Sequence, residues 1–130
     1  MYKFISKIPP TELHPVTWKK VKGPEADYLT ADYSIDKFYG VKVEFARLIK
    51  LPPKGFIKRH SDNGGRPKGI KVYHAVIETN EDCINYSYTE PVQKVHLPLN
   101  TIWLFDTWPE HESFNFGSTN RIHLVIDSYD

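Results

Sequence analysis

Hydrophobic and polar positions alternate along most of the chain beyond residue 40. The first clear case is the run of Val41, Val43 and Phe45, which are separated by charged residues. A period of two is typical of a strand with one face buried. Similar short segments, bounded by turn residues, predict further strands at Phe56–His60, Lys71–Thr79, Cys83–Tyr88, Gln93–Leu97, Ile102–Phe105, His111–Phe116 and Arg121–Asp127. Because helical periodicity is nearly absent, we predict an all-β sandwich, jelly roll or barrel.

Residues 1–40 lack such a regular pattern. Pro9-Pro10 and Gly23-Pro24 interrupt them, since proline and glycine favour turns. The stretch Glu25–Tyr39 is compatible with one short helix or with two irregular turns, in which four side chains face inward: Leu29, Tyr33, Ile35 and Phe38. We therefore predict a short irregular or helical N-terminal segment (1–40) that supports a β core (41–130). The chain of 130 residues should form a single domain, because a division would leave two small cores.

Composition narrows the class of protein without defining its chemistry. With 40% hydrophobic and 25% charged residues, the chain is ordinary for a soluble globular domain. The formal charge of +1 gives no reason to expect a broad nucleic-acid or anionic-membrane surface. No apolar run reaches membrane-spanning length, and the first ten residues lack the apolar core of a signal peptide. The single cysteine, Cys83, favours a reducing compartment, so we expect a cytoplasmic protein of open oligomeric state.

A candidate metal site begins at the end of the predicted strand Phe56–His60. His60 and Asp62 are two residues apart, so an extended backbone would place both side chains on one face. His111, at the start of a later strand, is the best-placed third ligand. Two histidines and one carboxylate with open positions opposite them are typical of non-haem Fe(II) oxygenases. Alternatively, His60 and Asp62 are polar groups of a capped loop and His111 is a surface histidine.

Three further polar residues lie in apolar strands. Arg121 opens a strand that is apolar at nearly every position, so its guanidinium either escapes at the strand end, pairs with an aspartate of this chain, or holds a bound anion. His74 lies between Val72 and Val76 on one strand face. It is either a hydrogen-bonded core histidine or a donor to a ligand carboxylate. His123 shares the face of Arg121, and we interpret it as a core residue.

Together these residues form a longer pattern, in which the motifs follow one another in a fixed order. The motifs are Leu51-Pro52-Pro53-Lys54-Gly55, Arg59-His60-Ser61-Asp62, Val72-Tyr73-His74-Ala75-Val76-Ile77-Glu78-Thr79-Asn80, Trp103-Leu104-Phe105-Asp106, His111, Asn115 and Arg121-Ile122-His123-Leu124-Val125-Ile126-Asp127. This pattern, from Ile49 to Asp127, resembles the aspartyl/asparaginyl β-hydroxylase-like branch of the 2-oxoglutarate- and Fe(II)-dependent dioxygenases.

The resemblance implies a double-stranded β-helix, a cupin-like jelly roll whose open end holds the metal. It makes His60, Asp62 and His111 the Fe(II) ligands and the catalytic centre. Arg121 would clamp the distal carboxylate of 2-oxoglutarate, and His74 would be a second contact. The implied reaction consumes O2 and hydroxylates an unactivated C–H of an amino acid, either free or within a peptide or protein.

One departure from the family pattern concerns the co-substrate. Family members often carry an arginine just before the counterpart of His74, whereas Lys71 is the nearest basic residue here. The basic loop Arg66-Pro67-Lys68 is either a lid that contacts a substrate carboxylate or a solvated loop. Two other functions stay open: a cupin-like jelly roll that binds a metal or small ligand without oxygenase chemistry, and a metal-free β-sandwich that binds a partner.

Overall fold

The computed structural model describes residues 2–62 and 69–129, and the predicted basic loop Arg66-Pro67-Lys68 lies outside these ranges. The described residues form thirteen strands: β1 (Tyr2–Lys7), β2 (Lys19–Lys22), β3 (Ala26–Asp32), β4 (Lys37–Phe38), β5 (Val41–Lys42), β6 (Phe45–Leu51), β7 (Phe56–His60), β8 (Lys71–Glu78), β9 (Cys83–Ser87), β10 (Gln93–Val95), β11 (Thr101–Phe105), β12 (His111–Asn115) and β13 (Arg121–Ser128). None of the described residues is helical, so the all-β prediction is confirmed. No helix long and apolar enough to cross a bilayer occurs within these ranges.

Eleven strands belong to one antiparallel sheet that curls over on itself. Its order is β1-β11-β8-β13-β6-β3-β7-β12-β9-β10, with β2 paired to β3, while β4 and β5 form a separate hairpin. Strand β3 makes the bend, because residues 29–32 pair with β6 and residues 26–27 pair with β7. The half that contains β13 therefore faces the half that contains β12 across an interior.

The two ends of this sheet are tied together by one side chain. The Gln93 amide of β10 accepts a hydrogen bond from the backbone N–H of Tyr2 at 2.8 Å and donates one to the Tyr2 carbonyl at 3.2 Å. An amide side chain thus replaces the backbone partners that an edge strand otherwise lacks. The link joins the two edge strands, β1 and β10.

Strand β13 lies between β6 and β8, and both of its faces are covered. Successive side chains alternate between the faces: Ile122, Leu124 and Ile126 pack in one cluster outside the curl, whereas Arg121, His123 and Val125 point into the interior. All of residues 121–126 are buried. Coverage on both sides explains why this strand is apolar at nearly every position in the sequence.

The N-terminal segment covers the outer face of this half of the sheet. Its buried residues Ile8, Tyr33 and Phe38 pack in the same cluster as Leu48 and Leu124. The predicted helical stretch is wrong, because residues 26–32 form a strand instead. Pairing with β6 and β7 satisfies that backbone, and such long-range partners override weak local propensity.

The next residues also depart from the prediction. The single strand expected from Val41 divides at residues 43 and 44 into β5 and β6. A two-residue turn at Tyr39 and Gly40, with φ of 43° and 85°, joins β4 to β5. Two consecutive positive φ values are the geometry of a type I′ hairpin, which glycine accommodates without strain.

We expect Leu48→Ala to lower the free energy of unfolding by about 2–5 kcal/mol, because the side chain is fully buried and its loss leaves a cavity. Urea denaturation monitored by tryptophan fluorescence would measure the change. The matched control is Leu99→Ala, since Leu99 is 51% exposed and should change stability by about 0.5 kcal/mol or less. Equal effects at the two positions would contradict the packing described above.

Candidate active site

Strands β7 and β12 bring the predicted metal ligands together. Their pairing places His60 opposite His111, and Asp62 follows two residues after His60. The Nε2 atom of His60 lies 3.3 Å from Oδ1 of Asp62, and the Nε2 atom of His111 lies 3.3 Å from Oδ2. One ligand atom from each residue lies within 4.8 Å of the others. The spacing suits three donors on one side of a single metal ion.

Backbone carbonyl groups orient both imidazole rings. Nδ1 of His60 lies 2.6 Å from the carbonyl oxygen of Lys58, and Nδ1 of His111 lies 2.9 Å from that of Pro109. In each ring, Nδ1 is therefore the donor to the carbonyl, and this orientation directs Nε2 at the carboxylate of Asp62. Metal-binding histidines are commonly held in this way, so the residues fit a divalent metal ion.

The carboxyl group of Asp62 is the electrostatic centre of the cluster. Burial alone would raise its pKa, but hydrogen bonds and positive charge from His111 and His60 outweigh burial and hold the pKa well below its ordinary value. The hydrogen bond to Asp62 in turn raises the pKa of His60, against the effect of burial. Asp62 is consequently ionised at neutral pH and offers a negative oxygen beside two ring nitrogens.

A cavity of about 450 Å³ opens beside this cluster, between the two halves of the sheet. All five residues predicted as site residues line it: His60, Asp62, His74, His111 and Arg121. The cluster of His60, Asp62 and His111 and the arginine come from opposite halves, since His111 is on β12 and Arg121 is on β13. The cavity therefore has a place for a cation at one wall and for an anion at another.

Arg121 is a buried cation that lacks a counter-ion among the described residues. Its side chain is 3% exposed, and its Nη1 atom donates a hydrogen bond to Oδ1 of Asn85 at 3.1 Å. Within the described ranges its Nε atom has no hydrogen-bond partner and no carboxylate pairs with it. Burial lowers the pKa of the guanidinium to about 10, so the group is still charged at neutral pH. A buried, incompletely bonded cation is suited to a bound anion.

His74 lies between the core and the cavity. Its Nδ1 atom is 3.1 Å from Nδ1 of His123, and the two rings meet edge to face. His123 is 1% exposed, as expected for a core residue. Its pKa is held well below the ordinary value by burial first and by the charge of Arg121 second, so a neutral His123 bonds His74 on the side away from the solvent.

Several residues that line the cavity were not among the site residues predicted from the sequence. Ser113 lies on the inner face of β12 two residues after His111, and its hydroxyl donates to Oδ1 of Asn85 at 2.9 Å. Strand alternation could have found Ser113, because it shares the parity of His111. No signal in the sequence indicated Tyr2, which comes from the segment without a regular pattern, or Arg47 on β6.

The site residues lie within a region that matches a known family. A family model described as aspartyl/asparaginyl beta-hydroxylase matches residues 14–130, which is 117 of the 130 residues. The chain belongs to the aspartyl/asparaginyl β-hydroxylase family. The predicted family is thus confirmed, and the matched region includes all five predicted site residues: His60, Asp62, His74, His111 and Arg121.

One relative of this chain is named as an amino-acid hydroxylase. L-proline cis-4-hydroxylase of Rhizobium meliloti (strain 1021) is 32% identical to this chain over 85 residues. The aligned part is 65% of this chain and 29% of that enzyme. The match therefore spans less than a third of the length of this relative.

Solved structures confirm the predicted jelly-roll class of fold. An oxidoreductase of the 2OG-Fe(II) oxygenase family from Burkholderia pseudomallei superposes with a TM-score of 0.70 at 10% identity, covering 88% of this chain and 74% of that one. A cupin-2 domain from Rhodospirillum rubrum gives a TM-score of 0.58 at 10% identity, covering 96% and 78%. At such low identity the similarity concerns the fold alone.

Proposed function

We propose that this chain is a 2-oxoglutarate- and Fe(II)-dependent dioxygenase that hydroxylates an unactivated C–H of an amino acid. The observation that carries the proposal is the cavity itself, which combines a two-histidine, one-carboxylate cluster with a buried arginine that has no carboxylate partner among the described residues. In a cupin that only binds a metal, such an arginine would have no ligand to bind. Membership of the family and the named hydroxylase support the same chemistry.

His60, Asp62 and His111 would hold Fe(II) through Nε2, one carboxylate oxygen and Nε2. Bound together, Fe(II), 2-oxoglutarate and O2 would supply the oxidising chemistry, in which one oxygen atom enters succinate, formed with loss of CO2, and the other enters the substrate as a hydroxyl. The protein would supply all three ligand atoms from one wall of the cavity. The backbone carbonyls of Lys58 and Pro109 keep both rings in that orientation.

Arg121 would bind the distal carboxylate of 2-oxoglutarate, with His74 as a second contact to the co-substrate. Ser113 lies two residues beyond His111 on the same strand face, roughly 7 Å along the chain. It is linked to Arg121 through Asn85, so two hydrogen bonds connect the strand that carries His111 to the arginine.

Part of the remaining wall of the cavity is apolar. Ile49, Val72 and Val125 form part of a buried cluster against which Tyr28 and Ile57 pack, and all five residues border the cavity. Aliphatic side chains beside the cluster keep water from the reacting centre and accept an aliphatic part of the substrate. Such a wall suits a C–H bond without neighbouring polar groups.

Arg47 provides a contact for the carboxylate of an amino-acid substrate. It lies on β6 in register with Val125, which is paired in turn with His74. Arg47 borders the cavity, is half-buried, and forms no ion pair or side-chain hydrogen bond with another described residue. We expect a free amino acid rather than a protein side chain as the substrate, because its own carboxylate complements this second cation.

Arg47→Met should raise the KM for the amino-acid substrate by at least about 10-fold, since a charge-assisted hydrogen bond is lost. The affinity for 2-oxoglutarate should stay the same, because Arg121 is intact. The substrate is first found by incubating the enzyme with single amino acids, beginning with L-proline, and detecting the gain of one oxygen atom by mass spectrometry. An unchanged KM would remove Arg47 from the substrate site.

An anaerobic titration tests the proposed function directly. The metal-free protein is titrated with Fe(II) and then with 2-oxoglutarate, and the visible absorption spectrum is recorded. A 2-oxoacid chelated to Fe(II) should produce a metal-to-ligand charge-transfer band. Iron binding without this band would favour a cupin-like binding function, and the absence of iron binding would favour a metal-free interaction module.

A further inference from the structure

The N-terminal strand β1 brings a phenol into the interior beside Arg121. Tyr2 is 5% exposed, and its ring stacks on Phe105 with a centroid separation of 4.3 Å. The Tyr2 ring also packs edge to face with the ring of His74, with a centroid separation of 5.9 Å. Tyr2 lines the same cavity as Arg121 and Ser113. A residue of the segment without a regular sequence pattern therefore borders the proposed co-substrate site.

The position of this tyrosine is fixed from several directions. Its backbone is paired with Phe105 in the β1–β11 ladder, and the Gln93 side chain binds both its N–H and its carbonyl group. Because Gln93 belongs to the opposite edge of the curled sheet, Tyr2 is held where the two halves meet. A side chain fixed in this way suits a binding site that requires a pre-positioned donor.

The hydroxyl group of Tyr2 lies within hydrogen-bonding reach of Ser113 and close to Arg121. Asn85 Oδ1 accepts hydrogen bonds from both Ser113 and Arg121, so those two groups are directed at the amide. Burial raises the pKa of Tyr2 to about 12, although Arg121 and Ser113 act to lower it. The phenol is therefore neutral at physiological pH and is a hydrogen-bond donor close to the guanidinium.

Building on the proposed function, we propose that the hydroxyl group of Tyr2 donates a hydrogen bond to the distal carboxylate of 2-oxoglutarate that Arg121 binds. A carboxylate accepts about four hydrogen bonds, and the free N–H groups of Arg121 satisfy only some of them. Tyr2 would thus complete the anion site and make β1 part of it. A purely structural Tyr2 would instead contribute only its ring, through packing on Phe105.

Tyr2→Phe separates these two roles, because it retains the buried ring and removes only the hydroxyl group. The dissociation constant of 2-oxoglutarate, measured calorimetrically with the Mn(II)-loaded protein, should rise by at least about 10-fold, as expected when a hydrogen bond to a charged group is lost. The Mn(II) affinity and the Tm without co-substrate should remain those of the wild type. The control is Tyr88→Phe, whose hydroxyl group is bonded to Glu112 outside the cavity.

A second ligand makes the test specific for the distal carboxylate. 2-Oxobutyrate has the chelating group but lacks that carboxylate, so wild type and Tyr2→Phe should bind it equally. Equal 2-oxoglutarate affinities for the two proteins would overturn the role of Tyr2 and leave the proposed function intact. A similar loss for both acids would show that Tyr2 only packs. If wild type binds neither acid, the proposed function fails and the role of Tyr2 fails with it.

Gln93→Met provides an independent variant, because it loosens β1 without changing a residue that lines the cavity. We expect a weaker affinity for 2-oxoglutarate in this variant but no additional loss when it is combined with Tyr2→Phe. Such non-additivity indicates that both changes remove one interaction. Additive losses would show that Gln93 does not act through the hydroxyl group of Tyr2.

Discussion

Replacing His111 with alanine is expected to weaken Fe(II) binding by at least about 100-fold and to abolish hydroxylation. Changes of residues that merely orient metal ligands already cost 10- to 100-fold in affinity or activity, and here a proposed ligand itself is removed. Its Nε2 atom lies 3.3 Å from Asp62, where neither His60 nor a neighbouring side chain can replace it. The affinity would be measured anaerobically with Fe(II), or with Mn(II) as a stable substitute. The charge-transfer band with 2-oxoglutarate should disappear as well.

A second variant guards against a loss of folding. His111 is 6% exposed, so its truncation can destabilise the sheet, whereas His60 is half-buried and can be truncated more safely. His60→Ala should show the same loss of metal affinity and of metal-dependent thermal stabilisation. The control is His14→Ala, since His14 stacks on Tyr33 outside the cavity. Wild-type stabilisation by metal in both His60→Ala and His111→Ala would rule out the cluster as the binding site.

Replacing Arg121 with methionine should strongly weaken co-substrate binding without lowering the stability of the ligand-free protein. Truncation of one partner in a buried, hydrogen-bonded charge pair costs about 2–5 kcal/mol, so the dissociation constant of 2-oxoglutarate should rise by about 30-fold or more. The guanidinium is buried without a carboxylate partner among the described residues. Because a buried charge is costly in the ligand-free state, an apolar side chain of similar length should leave the Tm unchanged or raise it.

These opposite effects distinguish a binding arginine from a structural one. If Arg121 mainly stabilises the fold through Asn85, the methionine variant should lose stability and metal binding together. Arg121→Lys retains the charge but not the planar fork, so we expect it to weaken 2-oxoglutarate binding while metal affinity stays that of the wild type. Unchanged 2-oxoglutarate affinity in either variant would count against an oxygenase and favour the cupin-like function.

The sequence predicted the strands beyond residue 51 closely. β7 agrees with its predicted bounds, and β8, β9, β11, β12 and β13 agree within one residue at each end. Alternation of apolar and polar residues is a local property, because each strand records which of its faces is buried. The same pattern indicated that His74 points inward and that His123 is a core residue, whereas it left open whether Arg121 points inward or escapes at the strand end.

The first forty residues were predicted poorly because their structure depends on distant partners. Strand β3 is held by pairing with β6 and β7, and Tyr2 is held by Gln93, 91 residues away. Neither interaction leaves a periodic trace in the local sequence. Residues such as Tyr33 and Phe38 were correctly expected to face inward, yet they do so from a strand end and a hairpin rather than from a helix.

The sequence by itself determined the residue types, their order and the faces on which they lie. Only the tertiary structure decided that His60 stands opposite His111 across 51 positions of sequence, and that no described carboxylate reaches Arg121. It also decided that Tyr2 and Arg47 border the same cavity. The physical reason is that alternation specifies which side of a strand is buried, whereas the choice of neighbouring strands depends on how the whole sheet curls and pairs.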